Sequence, residues 1–221
     1  MNPQGKGKIE WTDFTWSPVT GCKHGCSYCY ANRIAQRIYP EKFQPTFRAD
    51  RLYEPLDLKK PSRIFVSDMG DLFGEWIPND WVGRVLDIVR RCPQHTFQFL
   101  TKNPSRYEDF SFPKNCWLGT TWDGLPLTQK NIEHLCDAVS SDNVSFISFE
   151  PLLVPYRGEL PVDALDWIII GELTGVEHSI EEKRDILGWA QDILHQAQDL
   201  EIPIFFKNWL GTMFSQREFP R

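Results

Sequence analysis

The chain has no apolar run long enough to cross a bilayer. Its longest strongly apolar stretch, Trp167-Ile168-Ile169-Ile170, is four residues, where a spanning helix needs about 20. It also lacks the apolar segment of a secretory leader, since Met1-Asn2-Pro3-Gln4-Gly5-Lys6-Gly7-Lys8 carries lysines with nothing hydrophobic behind them. There is no overall excess of positive charge: 24 Lys and Arg face 30 Asp and Glu, for a net of −6. That balance argues against a surface that binds nucleic acid throughout. Internal repeats, low-complexity tracts and linkers are missing too. With 41% hydrophobic and 24% charged residues, both near globular averages, disorder is not expected. These absences lead to the expectation of one soluble, cytoplasmic domain over residues 1–221, with no membrane partner.

Charge is unevenly spread. Between Ala31 and Ile64 eight basic residues (Arg33, Arg37, Lys42, Arg48, Arg51, Lys59, Lys60, Arg63) face four acidic ones. The segment is therefore +4, and the remainder is −10 in a chain whose total is −6. One reading is a solvated face; the other is a contact for a phosphate-bearing substrate.

Six cysteines would suit three disulfides in a secreted protein, but no leader accompanies them. Three lie within eight residues, and Cys92, Cys116 and Cys136 are scattered. Cys116, in a strand-like run, and Cys136, on a helix-like one, are read as small buried hydrophobes. Clustered thiols in a reducing compartment point to metal.

The organisation is repetitive in kind. A short apolar strand ends in polar residues and a helical pattern usually follows: Ile64-Phe65-Val66 into Ser67-Asp68, Phe97 to Leu100 into Thr101-Lys102, Cys116 to Gly119 into Thr120-Thr121. Val144 to Phe149 runs into Glu150, Trp167 to Gly171 into Glu172, and Ile204-Phe205-Phe206 into Lys207. Helical spacing appears in Ala31, Ile34, Ala35, Ile38; in Trp81, Val85, Ile88, Val89; in Ile132, Leu135, Cys136, Val139; and in Ile186, Ala190, Ile193, Ala197, Leu200. Near-continuous apolar strands alternating with helices predict an α/β fold with a parallel sheet buried on both faces. A further strand near Thr15–Thr20 brings the expectation to about seven strands, short of the eight of a closed barrel. A partial, open-sided barrel follows, with Asp68, Lys102, Thr120, Glu150, Glu172 and Lys207 on its mouth, where ligands gather.

The informative stretch is Gly21-Cys22-Lys23-His24-Gly25-Cys26-Ser27-Tyr28-Cys29-Tyr30. Cys22, Cys26 and Cys29 suit three irons of a [4Fe–4S] cluster and leave the fourth for the amino and carboxylate groups of S-adenosylmethionine (SAM). A reduced cluster can then pass one electron to the sulfonium and release methionine and a 5′-deoxyadenosyl radical. The cofactor carries the hard chemistry, and protein supplies placement and exclusion of water. Tyr28 is placed to shield one face of the cluster, whose potential depends on burial and on hydrogen bonds to sulfur. The alternative is structural zinc in a non-enzymatic adaptor with His24 as fourth ligand, which requires one short loop to surround the metal. For the methionine end of SAM, Ser67, Asp68 and Asp71 offer carboxylates and carbonyls, although the same residues suit an ordinary turn. Thr120 or Glu150 are the candidates for the ribose hydroxyls. Lys102, Glu150 and Lys207 are the rim candidates to bind substrate or handle a proton.

The cysteine loop at the end of the first strand resembles the radical SAM superfamily. That resemblance implies a partial (β/α)6 TIM-like barrel, one [4Fe–4S] cluster, SAM as cofactor or cosubstrate, and an external one-electron donor such as flavodoxin or ferredoxin. Where members often carry Gly-Gly-Glu after the second strand, this chain has Met69-Gly70-Asp71. More of the chain is similar to a phage-associated, radical-SAM-like family of unassigned function, distantly similar to spore photoproduct lyase. The matching pieces include Trp11 through Cys22, Ser67 through Phe73, Leu100-Thr101-Lys102, Trp117-Leu118-Gly119, Phe149 through Leu153 and Phe206-Lys207-Asn208-Trp209. Relatives often have a longer gap between the first two cysteines, and Gly-Gly-Glu-Ser-Gly where Gly171-Glu172-Leu173-Thr174-Gly175 stands here; Glu172 is carried over as a cofactor-site residue. The lyase similarity and the basic segment together suggest a narrower alternative, repair or modification of a nucleic acid or other macromolecule.

Overall fold

Strands form where β-branched and aromatic residues run together and are buried on both sides. The computed structural model describes residues 1–220. In chain order its strands are β1 (Asn2–Pro3), β2 (Phe14–Trp16), β3 (Val19–Thr20), β4 (Thr46–Phe47), β5 (Arg63–Val66), β6 (Thr96–Thr101), β7 (Cys116–Thr121), β8 (Val144–Phe149), β9 (Trp167–Ile170) and β10 (Ile204–Phe206). The helices are α1 (Tyr30–Ile38), α2 (Asn79–Arg91), α3 (Asn131–Ala138), α4 (Ile180–Asp199) and the single turn α5 (Leu210–Met213).

Eight strands make one sheet in the order β1-β2-β5-β6-β7-β8-β9-β10, and it does not close. From β2 to β10 every pairing is parallel, in registers such as Ile64 opposite Phe97 and Phe146 opposite Trp167. The fold is thus the expected open, TIM-like α/β architecture with seven parallel strands. An eighth, the antiparallel edge strand β1, pairs with β2; two residues carry no periodic signal.

Three details depart from the sequence expectation. The strand near Thr15–Thr20 is two strands, because Pro18 lacks the N–H a ladder needs. Phe14–Trp16 stays in the main sheet, while Val19–Thr20 turns aside to pair with β4. The crossover from β6 to β7 uses a 3-10 turn at Pro104–Asp109, and none joins β8 to β9. That last connection contains Pro151, Pro155 and Pro161, each of which removes a helix hydrogen bond. On α1, Ala31 and Ala35 are buried as expected, but Ile34 and Ile38 are exposed.

Each strand has two apolar faces. Ile64, Val66, Ile168 and Ile170 pack toward the helices in the larger core, with Val85, Ile88, Ala190 and Ile193. Phe65, Phe146, Trp167, Ile169 and Phe205 pack on the other face around Trp11. The Trp11 ring lies 4.7 Å from Phe65 and 6.1 Å from Trp167. One indole therefore touches both β5 and β9, and the sheet curls around it. Double-sided burial explains why the strands read as continuous apolar runs. No helix is long and apolar enough to cross a membrane among the described residues.

Candidate functional site

The parallel strands all end on one side, and the cysteine loop is drawn into that mouth by backbone contact. Gly21 N–H donates to Met69 O at 2.8 Å, and Gly21 and Gly70 form an isolated bridge. Both positions need glycine. Gly21 has φ +88°, a Cβ on it would stand 2.2 Å from Gln44 O, and a Cβ on Gly70 would stand 2.7 Å from Gly21 O. The loop is tied again farther along: Cys22 N–H donates to Phe43 O at 3.1 Å, and His24 Nε2 lies 2.8 Å from Asp71 Oδ2. Cys29 then serves as N-cap of α1, its Sγ accepting from Asn32 N–H at 3.3 Å.

Cys22, Cys26 and Cys29 line one cavity of about 220 Å³ together with Tyr28, Ser67, Asp68 and Asp71. The same cavity reaches Lys102, Glu150, Glu172 and Lys207. The structure thus brings together every candidate site residue except Thr120. That side chain is fully buried and donates to Thr101 O at 2.9 Å; its neighbour Thr121 lines the cavity instead. Alternation along β7 decides which of the two faces the mouth.

Electrostatics divides the cavity. Burial pushes the Cys22 thiol up to about 12, and the Asp71 charge adds to the rise. Burial likewise raises Cys26, partly offset by the Lys102 ammonium. Such thiols become thiolates only beside added positive charge, as a metal supplies. Backbone N–H groups already point at two of the sulfurs, from His24 to Cys22 at 3.5 Å and from Asn32 to Cys29; contacts of this kind tune iron–sulfur clusters. Among the described residues, no three His, Cys, Asp or Glu side chains are gathered so as to hold a single ion.

Asp71 is a brace rather than an open acceptor. Its Oδ1 accepts from Phe73 N–H (2.9 Å) and the Thr101 hydroxyl (2.7 Å), and its Oδ2 from Lys102 N–H (3.0 Å) and His24. Burial would raise its pKa, but the His24 hydrogen bond and charge, with those other donors, hold it lowered. Asp68 differs: burial raises it, and hydrogen bonds from Ser17 and Thr15 offset this only in part. The Tyr30 hydroxyl donates to the Asp68 carbonyl at 2.9 Å.

Lys102 makes an ion pair with Asp123 and a 2.7 Å hydrogen bond to the Tyr28 hydroxyl. Asp123 is buried and also accepts from the Thr128 hydroxyl. Burial would raise its pKa, but Lys102 and the hydroxyls of Thr128 and Tyr28 hold it lowered. Asp123 is not among the sequence candidates. It stands two residues beyond the end of β7, so the rim rule that selects Lys102 and Glu150 finds it once carried past Thr121.

At the far strands Lys207 pairs with Glu150, and Trp209 N–H donates to Glu172 Oε1 at 3.1 Å. The other carboxylate oxygen of Glu172 is buried and, among the described residues, has no partner. The same holds for Ser67 Oγ and Trp11 Nε1, and all three residues line the cavity. Orphaned buried polar atoms are costly unless a ligand satisfies them. A cavity lined by three thiols and by three residues that carry unsatisfied polar atoms fits a cluster with a polar ligand beside it.

Comparison with known proteins adds family and fold. The family described as "Protein of unknown function (DUF5131)" matches residues 6–218. No curated protein matches the sequence. A solved spore photoproduct lyase double mutant with bound AdoMet and dinucleoside spore photoproduct is similar at TM-score 0.52 and 10% identity. The match covers 87% of this chain and 54% of that one, so the chain spans about half the length of that neighbour. At that identity the likeness is one of fold.

Proposed function

The chain belongs to the DUF5131 family, and we propose that it acts as a radical SAM enzyme, with residues 1–221 as a single radical SAM-like domain. The observation that carries this reading is one cavity, lined by Cys22, Cys26 and Cys29 together with Ser67 and Glu172, each of which has a buried oxygen with no partner among the described residues. A [4Fe–4S] cluster held there, once reduced, would supply the one electron needed to split the SAM sulfonium into methionine and a 5′-deoxyadenosyl radical.

The chain's own residues divide the remaining work. Cys22, Cys26 and Cys29 would hold the cluster, and the His24–Asp71 contact fixes their loop against the turn after β5. Ser67 Oγ and Glu172 Oε2, which are buried without a partner among the described residues, would accept hydrogen bonds from the ammonium or hydroxyl groups of SAM, offsetting the cost of their burial. Lys102, held by Asp123, keeps positive charge beside Cys26. The Glu150–Lys207 pair faces the part of the cavity left for substrate, and the walls of Trp11, Phe65 and Leu100 exclude water. Anaerobic protein supplied with iron, sulfide, SAM and dithionite is expected to release 5′-deoxyadenosine. Zinc without sulfide, and no SAM cleavage, returns the protein to the adaptor reading.

A second reading makes the substrate a nucleic acid, supported by the fold neighbour's bound dinucleoside photoproduct. Of the five arginines in the basic segment, Arg48 is spent on Glu41 and Tyr39, Arg51 on Tyr39, and Arg63 on Asp13. Arg33 and Arg37 remain exposed. Affinity for single-stranded DNA that falls steeply with salt supports this version; no binding at low salt removes it.

A further inference from the structure

Helix α1 presents two isoleucines that the cavity does not use. Ile34 and Ile38 are 41% and 59% exposed, and their i, i+4 spacing aligns them on one side of the helix, whereas Tyr30, one turn nearer the cysteine loop, lines the cavity. A short helix with buried Ala31 and Ala35 on its inner side gains nothing for folding by presenting two isoleucines to water. Beside them stand Arg33 and Arg37, exposed and, among the described residues, in no ion pair. Lys23 and Lys42 are exposed at either end, and α1 itself contains no acid. This face is therefore apolar with a cationic border, on a chain of net charge −6.

Its position gives the face a use. The N-cap of α1 is Cys29, so Ile34 lies only about 7.5 Å along the helix axis from a candidate cluster ligand. We propose that the outer face of α1 is the docking surface for an acidic one-electron carrier protein. An apolar centre with a positive rim suits a protein partner of opposite charge better than a nucleic acid, whose backbone offers phosphates and little apolar surface. In the step served, the reduced carrier loses one electron and the oxidised cluster gains it, passing from the 2+ to the 1+ state with no proton or group transferred. The inference rests on the radical SAM reading and adds to it where the electron enters.

The test compares the full chain, anaerobically loaded with cluster, with Ile34→Asp/Ile38→Asp and Arg33→Glu/Arg37→Glu variants. Lys114→Glu, placed just before β7 at the opposite end of the sheet, is the control. The first readout is affinity for a ferredoxin at low salt, expected to weaken about tenfold or more in both α1 variants and to stay unchanged in the control. The second is SAM cleavage, expected to fall about tenfold when reduced ferredoxin drives it and to hold within about twofold with dithionite. Unchanged ferredoxin affinity overturns the proposal. So does loss of self-association in the α1 variants, which assigns the face to a second copy, or selective loss of single-stranded DNA binding. Wild-type protein that cleaves no SAM even with dithionite defeats the underlying reading, and the inference with it.

Discussion

Lys102 Nζ lies 2.6 Å from Asp123 Oδ2, with the lysine side chain 12% and the aspartate 2% exposed. The pair joins the ends of β6 and β7, and through the Tyr28 hydroxyl it reaches the cysteine loop. Removing one partner strands the other as a buried charge. Asp123→Ala is expected to destabilise the fold by about 3 kcal/mol. The double variant Lys102→Ala/Asp123→Ala should lose less than Asp123→Ala alone, because no charge is left uncompensated. Urea unfolding of the three proteins measures both differences.

Glu172 places an unsatisfied carboxylate oxygen beside the cavity. A hydrogen bond to a charged group is worth about 1.5–3 kcal/mol, so Glu172→Gln is expected to weaken SAM binding roughly tenfold or more. Iron and sulfide content should not change, because Glu172 is not placed as a cluster ligand. Anaerobic titration calorimetry with SAM, together with metal analysis, separates the two effects.

Asp13 receives Arg63 N–H at 2.8 Å and the Arg63 guanidinium at 3.2 Å, tying the segment before β2 to β5. Burial acts to raise its pKa, but the Arg63 contacts outweigh it and hold the value lowered. A carboxylate lowered in the fold adds stability above its unfolded pKa, about 3.9, and that stability fades as pH falls through the folded value. The stability gap between wild type and Asp13→Asn should therefore be full near neutral pH and close in acid below about pH 4. Melting curves across that range show whether it does.

Gly21 has no room for a side chain and a φ that other residues rarely adopt. Gly21→Ala is expected to cost about 2 kcal/mol and to displace the cysteine loop, so reconstituted iron per chain should fall as well. Gly83→Ala on α2, where a Cβ meets nothing within 4 Å, is the matched control and should leave both unchanged or raise stability.

Much of this was legible in the sequence because its signals are local. Apolar runs of three to six residues leading into Asp, Lys, Thr or Glu mark the strands and the rim, and all the rim candidates except Thr120 line the cavity. That Cys22, Cys26 and Cys29 share one cavity follows from their close spacing in a single loop. What stayed hidden depends on distant pairing. Asp71 looked like a free acceptor, because nothing local says that Thr101, Lys102 and His24 occupy its oxygens. Asp123 was missed because its value comes from Lys102, 21 residues earlier. Thr120 and Thr121 are adjacent in sequence and opposite in facing, a one-residue choice that only strand register settles.

The most direct measurement is the electron paramagnetic resonance spectrum of the anaerobically reconstituted, dithionite-reduced protein, recorded with and without SAM and alongside iron and sulfide analysis. With one iron open to the ligand, the protein should hold about four irons and four sulfides per chain. The signal of its reduced cluster should then change when SAM is added. A spectrum unaltered by SAM, or a protein that holds zinc and no sulfide, contradicts the account.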